Sequence, residues 1–222
     1  MIWVNWGVKK KIGYVVGATI SVILIWASYH HLAPMEMTEV LGFITGAWCV
    51  WLTVEENIWN WPIGLATSTL YVLVFLRARL FADMSLQIIY IILGLTGWYF
   101  WLFGGEKHKH LKVGRAGWVT WLVLAVIVMI STWRMEIYLI SIKDAAPFWD
   151  ALTTTMSLAA QYMLTRKYLE NWWIWIVVDV IYVFLYCYKH LYLTTGLYAV
   201  FIVMAVIGLR QWKRSMMHSE SA

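Results

Sequence analysis

Asp179 stands in the middle of an otherwise apolar run, residues 172–188. A carboxylate in such a place is protonated, paired, or turned toward water or a cation, because a lone charge in hydrocarbon is costly. No Lys or Arg falls at similar depth in the sequence. A cationic substrate or cavity water is the natural counterpart, and a hydrogen bond from Tyr or Thr of another helix is the plainer alternative. Trp175, Tyr182 and Tyr186 share its helical face. Three further runs carry polar groups at helical spacing. One has Asp150, Thr154, Ser157 and Gln161; a second has Asp83, Gln87, Tyr90, Gly94 and Gly97; a third has Asn60, Trp61, Gly64 and Ser68, with Pro62 just inside its start. Amides and hydroxyls suit a ligand's hydroxyl and carboxamide groups. Trp and Tyr stack on a flat ring, and hold a cationic ring more strongly. The candidate binding set is Asn60, Trp61, Gln87, Tyr90, Gln161, Asn171, Trp175, Asp179 and Tyr182. For Gln87 and Tyr90, hydrogen bonding between helices is an equal alternative.

Catalysis has no such set. The runs hold no nucleophile with a base, no His clearly at depth, and neither H-E-x-x-H nor G-x-S-x-G. His108 and His110 offer two metal ligands without a third nearby, and read as part of a solvated basic loop. His30 and His31 read as a loop end. Cys49 and Cys187 read as packing residues, not a disulfide. No catalytic residue, no metal ligand and no cofactor is expected.

The elements that position these groups follow from composition. The chain has 222 residues, 62% hydrophobic and 13% charged, against about 45–50% and about 25% in soluble domains. That excludes a soluble domain and a disordered chain. Eight apolar runs are long enough to span a bilayer: 12–29, 38–54, 59–76, 84–103, 117–133, 148–165, 172–188 and 191–209. The fold class is thus an all-α integral membrane protein of about eight transmembrane helices. The first run follows Lys9, Lys10 and Lys11 but precedes no convincing cleavage site, so a retained helix is expected. With both termini inside, twelve of the 17 Lys and Arg fall on the cytoplasmic side, which favours that orientation. The net charge of +5 is explained by these loops, so no nucleic-acid partner is expected. Trp3, Trp6, Trp118, Trp149 and Trp212 fit an interfacial belt.

The two halves repeat. Glu56-Asn57-Ile58-Trp59-Asn60-Trp61 matches Glu170-Asn171-Trp172-Trp173-Ile174-Trp175 at a spacing of 114. Gln87 against Tyr198, Gly97 against Gly208 and Trp101 against Trp212 match at 111, which implies a three-residue difference in a loop. On this register Trp61 and Trp175 are equivalent, and the bend expected at Pro62 is not mirrored, since Ile176 stands opposite it. Each repeat holds three spans, and one span lies between them, so the repeats run parallel, as in some transporters. The domains are then residues 1–33, an N-terminal tail and extra helix; 34–104, the first repeat; 105–116, a basic cytoplasmic loop; 117–146, a connecting helix and outer loop; and 147–222, the second repeat and cytoplasmic tail.

Three stretches make the chain resemble the PnuC-type nicotinamide riboside transporters: Trp59-Asn60-Trp61-Pro62-x-Gly64, the run Asp83-x-x-x-Gln87-x-x-Tyr90-x-x-x-Gly94-x-x-Gly97-Trp98, and Arg166-Lys167-x-x-Glu170-Asn171-Trp172-x-x-Trp175. The resemblance implies a three-one-three layout like that of the SWEET sugar carriers, built in one chain, with the first helix outside it. It implies a homotrimer in the bacterial inner membrane with a substrate path in each protomer. It also implies facilitated diffusion of nicotinamide riboside, an NAD precursor, with trapping by a cytoplasmic riboside kinase. The alternative is a SWEET-like sugar carrier or a carrier of another vitamin or nucleoside.

Overall fold

The structure is a computed structural model that describes residues 2–30, 37–78, 81–188, 190 and 192–220. His31 and the expected boundary between residues 33 and 34 lie outside the described residues, as does the side chain of Asp83. The described chain is all-helical. The eight α-helices are α1 (Ile2–Tyr29), α2 (Met37–Val54), α3 (Asn60–Ala78), α4 (Phe81–Phe103), α5 (Trp118–Ser141), α6 (Pro147–Thr165), α7 (Asn171–Tyr188) and α8 (Tyr192–Glu220). Helix is what an apolar chain must form in lipid, where each backbone N–H and C=O needs a partner inside the segment. Most Thr side chains in these helices bond back to a carbonyl one turn earlier, as Thr45 does to Leu41 and Thr96 to Ile92, and so hide their own polarity.

Among the described residues, four segments are long and apolar enough to cross a bilayer: Met84–Phe103, Trp118–Ser141, Asn171–Tyr188 and Thr195–Ser219. Gly13–Tyr29 and Val40–Val54 are shorter apolar stretches. The weak hydropathy of α6 has a structural reason. It packs against α4, α5 and α7, and its Ala151, Thr153, Thr155, Ser157, Ala159 and Ala160 are buried. Small side chains let neighbouring backbones approach closely. The hydroxyls of Thr132 on α5 and Thr155 on α6 meet at 2.7 Å in that contact. By contrast α5 turns Trp118, Ile127 and Met129 outward, a face suited to lipid.

The chain divides at residue 49 into two compact units. In the first, α1 meets α2 where Gly17 lies against the Trp48 ring; a Cβ on Gly17 would sit 3.3 Å from that ring. The Trp48 indole N–H donates to Ser21 Oγ at 3.1 Å.

The second unit, residues 50–222, carries the repeat, and its register is 111 throughout. Helices α2 and α6 end at Val54 and Thr165, α3 and α7 start at Asn60 and Asn171, and α4 and α8 start at Phe81 and Tyr192. The turns after α2 and α6 are the same Schellman closure. Asn57 N–H donates to Leu52 O and Glu56 N–H to Thr53 O; Tyr168 N–H donates to Met163 O and Lys167 N–H to Leu164 O. Glu56 and Lys167 take the left-handed position, at φ 54° and 55°. The spacing of 114 read from Glu-Asn-x-Trp-x-Trp is therefore a chance recurrence of aromatic letters. No three-residue shift exists: Trp61 corresponds to Trp172, and Trp175 corresponds to Gly64.

The segment between α4 and α5 is more structured than a solvated loop. After a 3₁₀ turn at Glu106–His108, Leu111 N–H donates to Trp101 O, Gly114 N–H to Lys167 O, and Leu169 N–H to Gly114 O. Ala116 N–H donates to the Glu170 carboxylate at 2.9 Å, and Val113 is buried. The segment is stitched to the turn between α6 and α7.

Candidate functional site

Two layers of the second unit hold the candidate residues. The first lies at the end of the bundle where α3 and α7 begin. Gly97 and Gly208 lack side chains, and the rings of Trp61 and Trp172 occupy that space: a Cβ would come within 2.2 Å and 2.5 Å of them. Trp61 packs edge-on against Trp101 at 5.4 Å, Trp101 against Trp212 at 5.7 Å, and Trp212 against Trp172 at 5.4 Å. The repeats are tied crosswise. The Trp101 indole N–H donates to Leu164 O, and that of Trp212 to Thr53 O, both at 3.0 Å. Trp212 is thus a fully buried tie between repeats, not a belt residue. Trp118 and Trp149 are exposed, as a belt requires.

Asn60 and Asn171 serve the turns of this layer. The Asn60 amide donates to Thr53 Oγ1 at 3.1 Å, and that of Asn171 to Tyr168 O at 2.6 Å. Trp61 and Trp172 are 3% and 2% exposed, yet their indole N–H groups find no acceptor among the described residues. Buried donors of this kind are rare in folded proteins, where an ordered water, an ion or a ligand supplies the partner.

The second layer lies deeper, where α4, α6, α7 and α8 converge. Asp179 is 5% exposed. The rings of Tyr182, Tyr186 and Tyr198 form a triangle, with centroids 5.6 Å, 4.7 Å and 5.3 Å apart. Ser157 of α6 lies near the side chains of Tyr90 and Tyr182, and Thr153 near Tyr182. Tyr198 of α8 stacks on Tyr186 and lies near Asp179. Tyr90, Asp179 and Tyr182 therefore come together.

Gln87 and Gln161 are half-buried about one helical turn from Tyr90 and Ser157, at the rim of this group. Trp175 is half-buried one turn from Asp179 and packs against the cluster of Leu124, Met163 and Val178. Asn60, Trp61 and Asn171 belong to the tryptophan layer instead.

Trp172, Tyr186 and Tyr198 are absent from the sequence-based set and belong with these layers. Trp172 is found once the register is 111, because the Gly97–Gly208 match then pairs the tryptophans facing them. Tyr198 occupies the position equivalent to Gln87, and that equivalence was legible in the sequence. Among the described residues no three His, Cys, Asp or Glu group as metal ligands do, and Cys49 and Cys187 are free thiols. Among the described residues the arrangement brings together aromatic faces, hydroxyls and a buried carboxylate.

Known proteins agree with this character. The chain is 26% identical over 210 residues to the nicotinamide riboside transporter PnuC of Escherichia coli K12, covering 82% of this chain and 87% of the relative. It is 24% identical over 188 residues to the riboflavin/roseoflavin transporter RibM of Streptomyces davaonensis, covering 82% and 85%. Its fold matches the crystal structure of the vitamin B3 transporter PnuC with a TM-score of 0.67 at 20% identity, covering 91% of this chain and 92% of the other. Residues 36–214 match the profile of the nicotinamide mononucleotide transporters. The chain is a multi-pass membrane protein and a member of that transporter family, not an enzyme.

Proposed function

We propose that this protein carries nicotinamide riboside across the bacterial inner membrane by facilitated diffusion, both termini in the cytoplasm. A cytoplasmic riboside kinase traps the product by phosphorylation, and the working unit is a homotrimer with a path in each protomer. The observation that carries the cargo assignment is Asp179, buried beside the Tyr182, Tyr186 and Tyr198 triangle. Nicotinamide riboside has a cationic pyridinium ring, a carboxamide and ribose hydroxyls. The tyrosine faces suit the ring, Asp179 offsets its charge, and Gln87, Gln161, Asn60 and Asn171 are the candidates for amide and hydroxyl contacts. The indole N–H groups of Trp61 and Trp172 are further donors for such a cargo. The domain division read from the sequence fits this function, with the first helix outside the transport core.

The alternative cargo within the family is a neutral flavin, as the likeness to RibM suggests. A deep carboxylate argues against it, because a neutral ring gives Asp179 no charge to meet. A SWEET-like sugar carrier faces the same objection. Uptake into proteoliposomes of labelled riboside, riboflavin and hexose separates the three. Riboside uptake is expected to exceed the others by tenfold or more. Equal or faster riboflavin or hexose uptake contradicts the assignment.

A further inference from the structure

The stitched segment between α4 and α5 encloses, together with α8, an open cleft of about 650 Å3. That falls within the range of small-molecule sites, roughly 300–1,000 Å3. Lys109, Lys112, Lys167, His108 and His110 line it, and Glu56 is the acid among its lining residues. Glu56 is already neutralised: its carboxylate lies 2.8 Å from Lys167 Nζ. Lys167 Nζ also donates to Leu111 O at 3.0 Å and sits over the Trp101 ring. The charges of Lys109 and Lys112 are therefore not offset within the cleft.

A basic loop by itself is explained by membrane topology, which needs only positive charge near the ends of spans. Topology does not require the rest. The segment is fastened by backbone bonds to Trp101 and Lys167. Lys107 and His108 are consecutive non-glycine residues in the left-handed region, at φ 54° and 56°, a conformation that L residues avoid. Such strain persists where surrounding structure holds it, and it gathers at binding sites. Ser215 of α8 adds a hydroxyl to the wall.

We infer that this cleft binds a phosphate-bearing anion, with Lys109 and Lys112 as its principal charges and Lys167 as its fixed floor. The anion is either a soluble polyphosphate of nucleotide type or the phosphodiester headgroup of an acidic lipid. The inference is independent of which cargo the deeper layers carry.

The test uses the full chain in neutral detergent, with pyrophosphate as the soluble probe in calorimetry. The variants are Lys109→Gln/Lys112→Gln and the milder Lys112→Gln, with the thermal midpoint in detergent as the check of folding. Wild type is expected to bind pyrophosphate saturably, and the double variant at least tenfold more weakly. Affinity should fall between about 50 mM and about 300 mM salt, as screening requires. A lipid arm compares retention of phosphatidylglycerol and phosphatidylcholine by native mass spectrometry. Selective phosphatidylglycerol retention that the double variant loses, without pyrophosphate saturation, supports the site with lipid as the source. Pyrophosphate affinity equal in wild type and double variant overturns the inference. So does absence of pyrophosphate binding combined with equal lipid retention.

Discussion

Gly97 and Gly208 decide how closely α3 meets α4 and α7 meets α8, since the Trp61 and Trp172 rings lie where a Cβ would stand. Adding one methyl in a packed interior forces neighbours aside at a cost of about 1–3 kcal/mol. Gly97→Ala and Gly208→Ala should each lower the thermal midpoint in detergent by several degrees. Gly46→Ala, where a Cβ would meet nothing within 4 Å, should cost far less. Equal midpoints for all three variants would refute the packing argument. Trp175 is the residue-scale test of the site. A cation over an indole face gains roughly 0.5–2 kcal/mol, or about twofold to thirtyfold in affinity. Trp175→Leu should weaken riboside binding within that range while the chain stays folded, and an unchanged dissociation constant would leave Trp175 with packing alone.

At the scale of elements, the turns after α2 and α6 hold the repeats together. Glu56 and Lys167 are equivalent residues of the two repeats, and they pair with each other. Removing one partner of a fully buried pair costs about 3–5 kcal/mol, because the other charge is left alone, whereas replacing both is far milder. This pair keeps 9% and 19% side-chain exposure, so Lys167→Met should destabilise by less than that, and Glu56→Gln/Lys167→Met should recover part of the loss, the Lys167 bond to Leu111 O being gone in both. A double-mutant cycle of thermal or denaturant unfolding reads this, and additive losses would contradict it.

The same turns explain what the sequence concealed. Helices were legible from apolar runs, and the 111 spacing was legible at Gly97–Gly208 and Trp101–Trp212. The turns were not, because backbone geometry defines them. Glu56 and Lys167 share a left-handed conformation and a Schellman closure, yet their letters are opposite in charge. Matching letters instead slid the register by three and paired Trp61 with Trp175. The tyrosine layer was half legible: the face of α7 gave Asp179, Tyr182 and Tyr186, but convergence of Tyr90 and Tyr198 on it depends on how α4 and α8 pack.

At the scale of the whole molecule, the question is whether flux is driven. Ion-coupled carriers use intramembrane carboxylates as proton sites. Among the described residues Asp179 is the acid near mid-span, with Asp150 in the first turn of α6 and Glu136 toward the end of α5. One acid at that depth suits cargo charge better than a proton relay. Proteoliposomes should equilibrate riboside and respond to neither a proton nor a sodium gradient. Accumulation above equilibrium driven by either would overturn the uniport reading.

The central claim is that Asp179 and its tyrosines hold a cationic ring. It is tested most directly by calorimetric titration of wild type and Asp179→Asn with nicotinamide riboside and with riboflavin. Asparagine keeps the size and removes the charge. Losing an interaction of about 1.4 kcal/mol weakens binding tenfold. Riboside affinity should fall about tenfold or more in Asp179→Asn, with any riboflavin binding unchanged between the two proteins. A folded Asp179→Asn variant that binds riboside as tightly as wild type would contradict the claim.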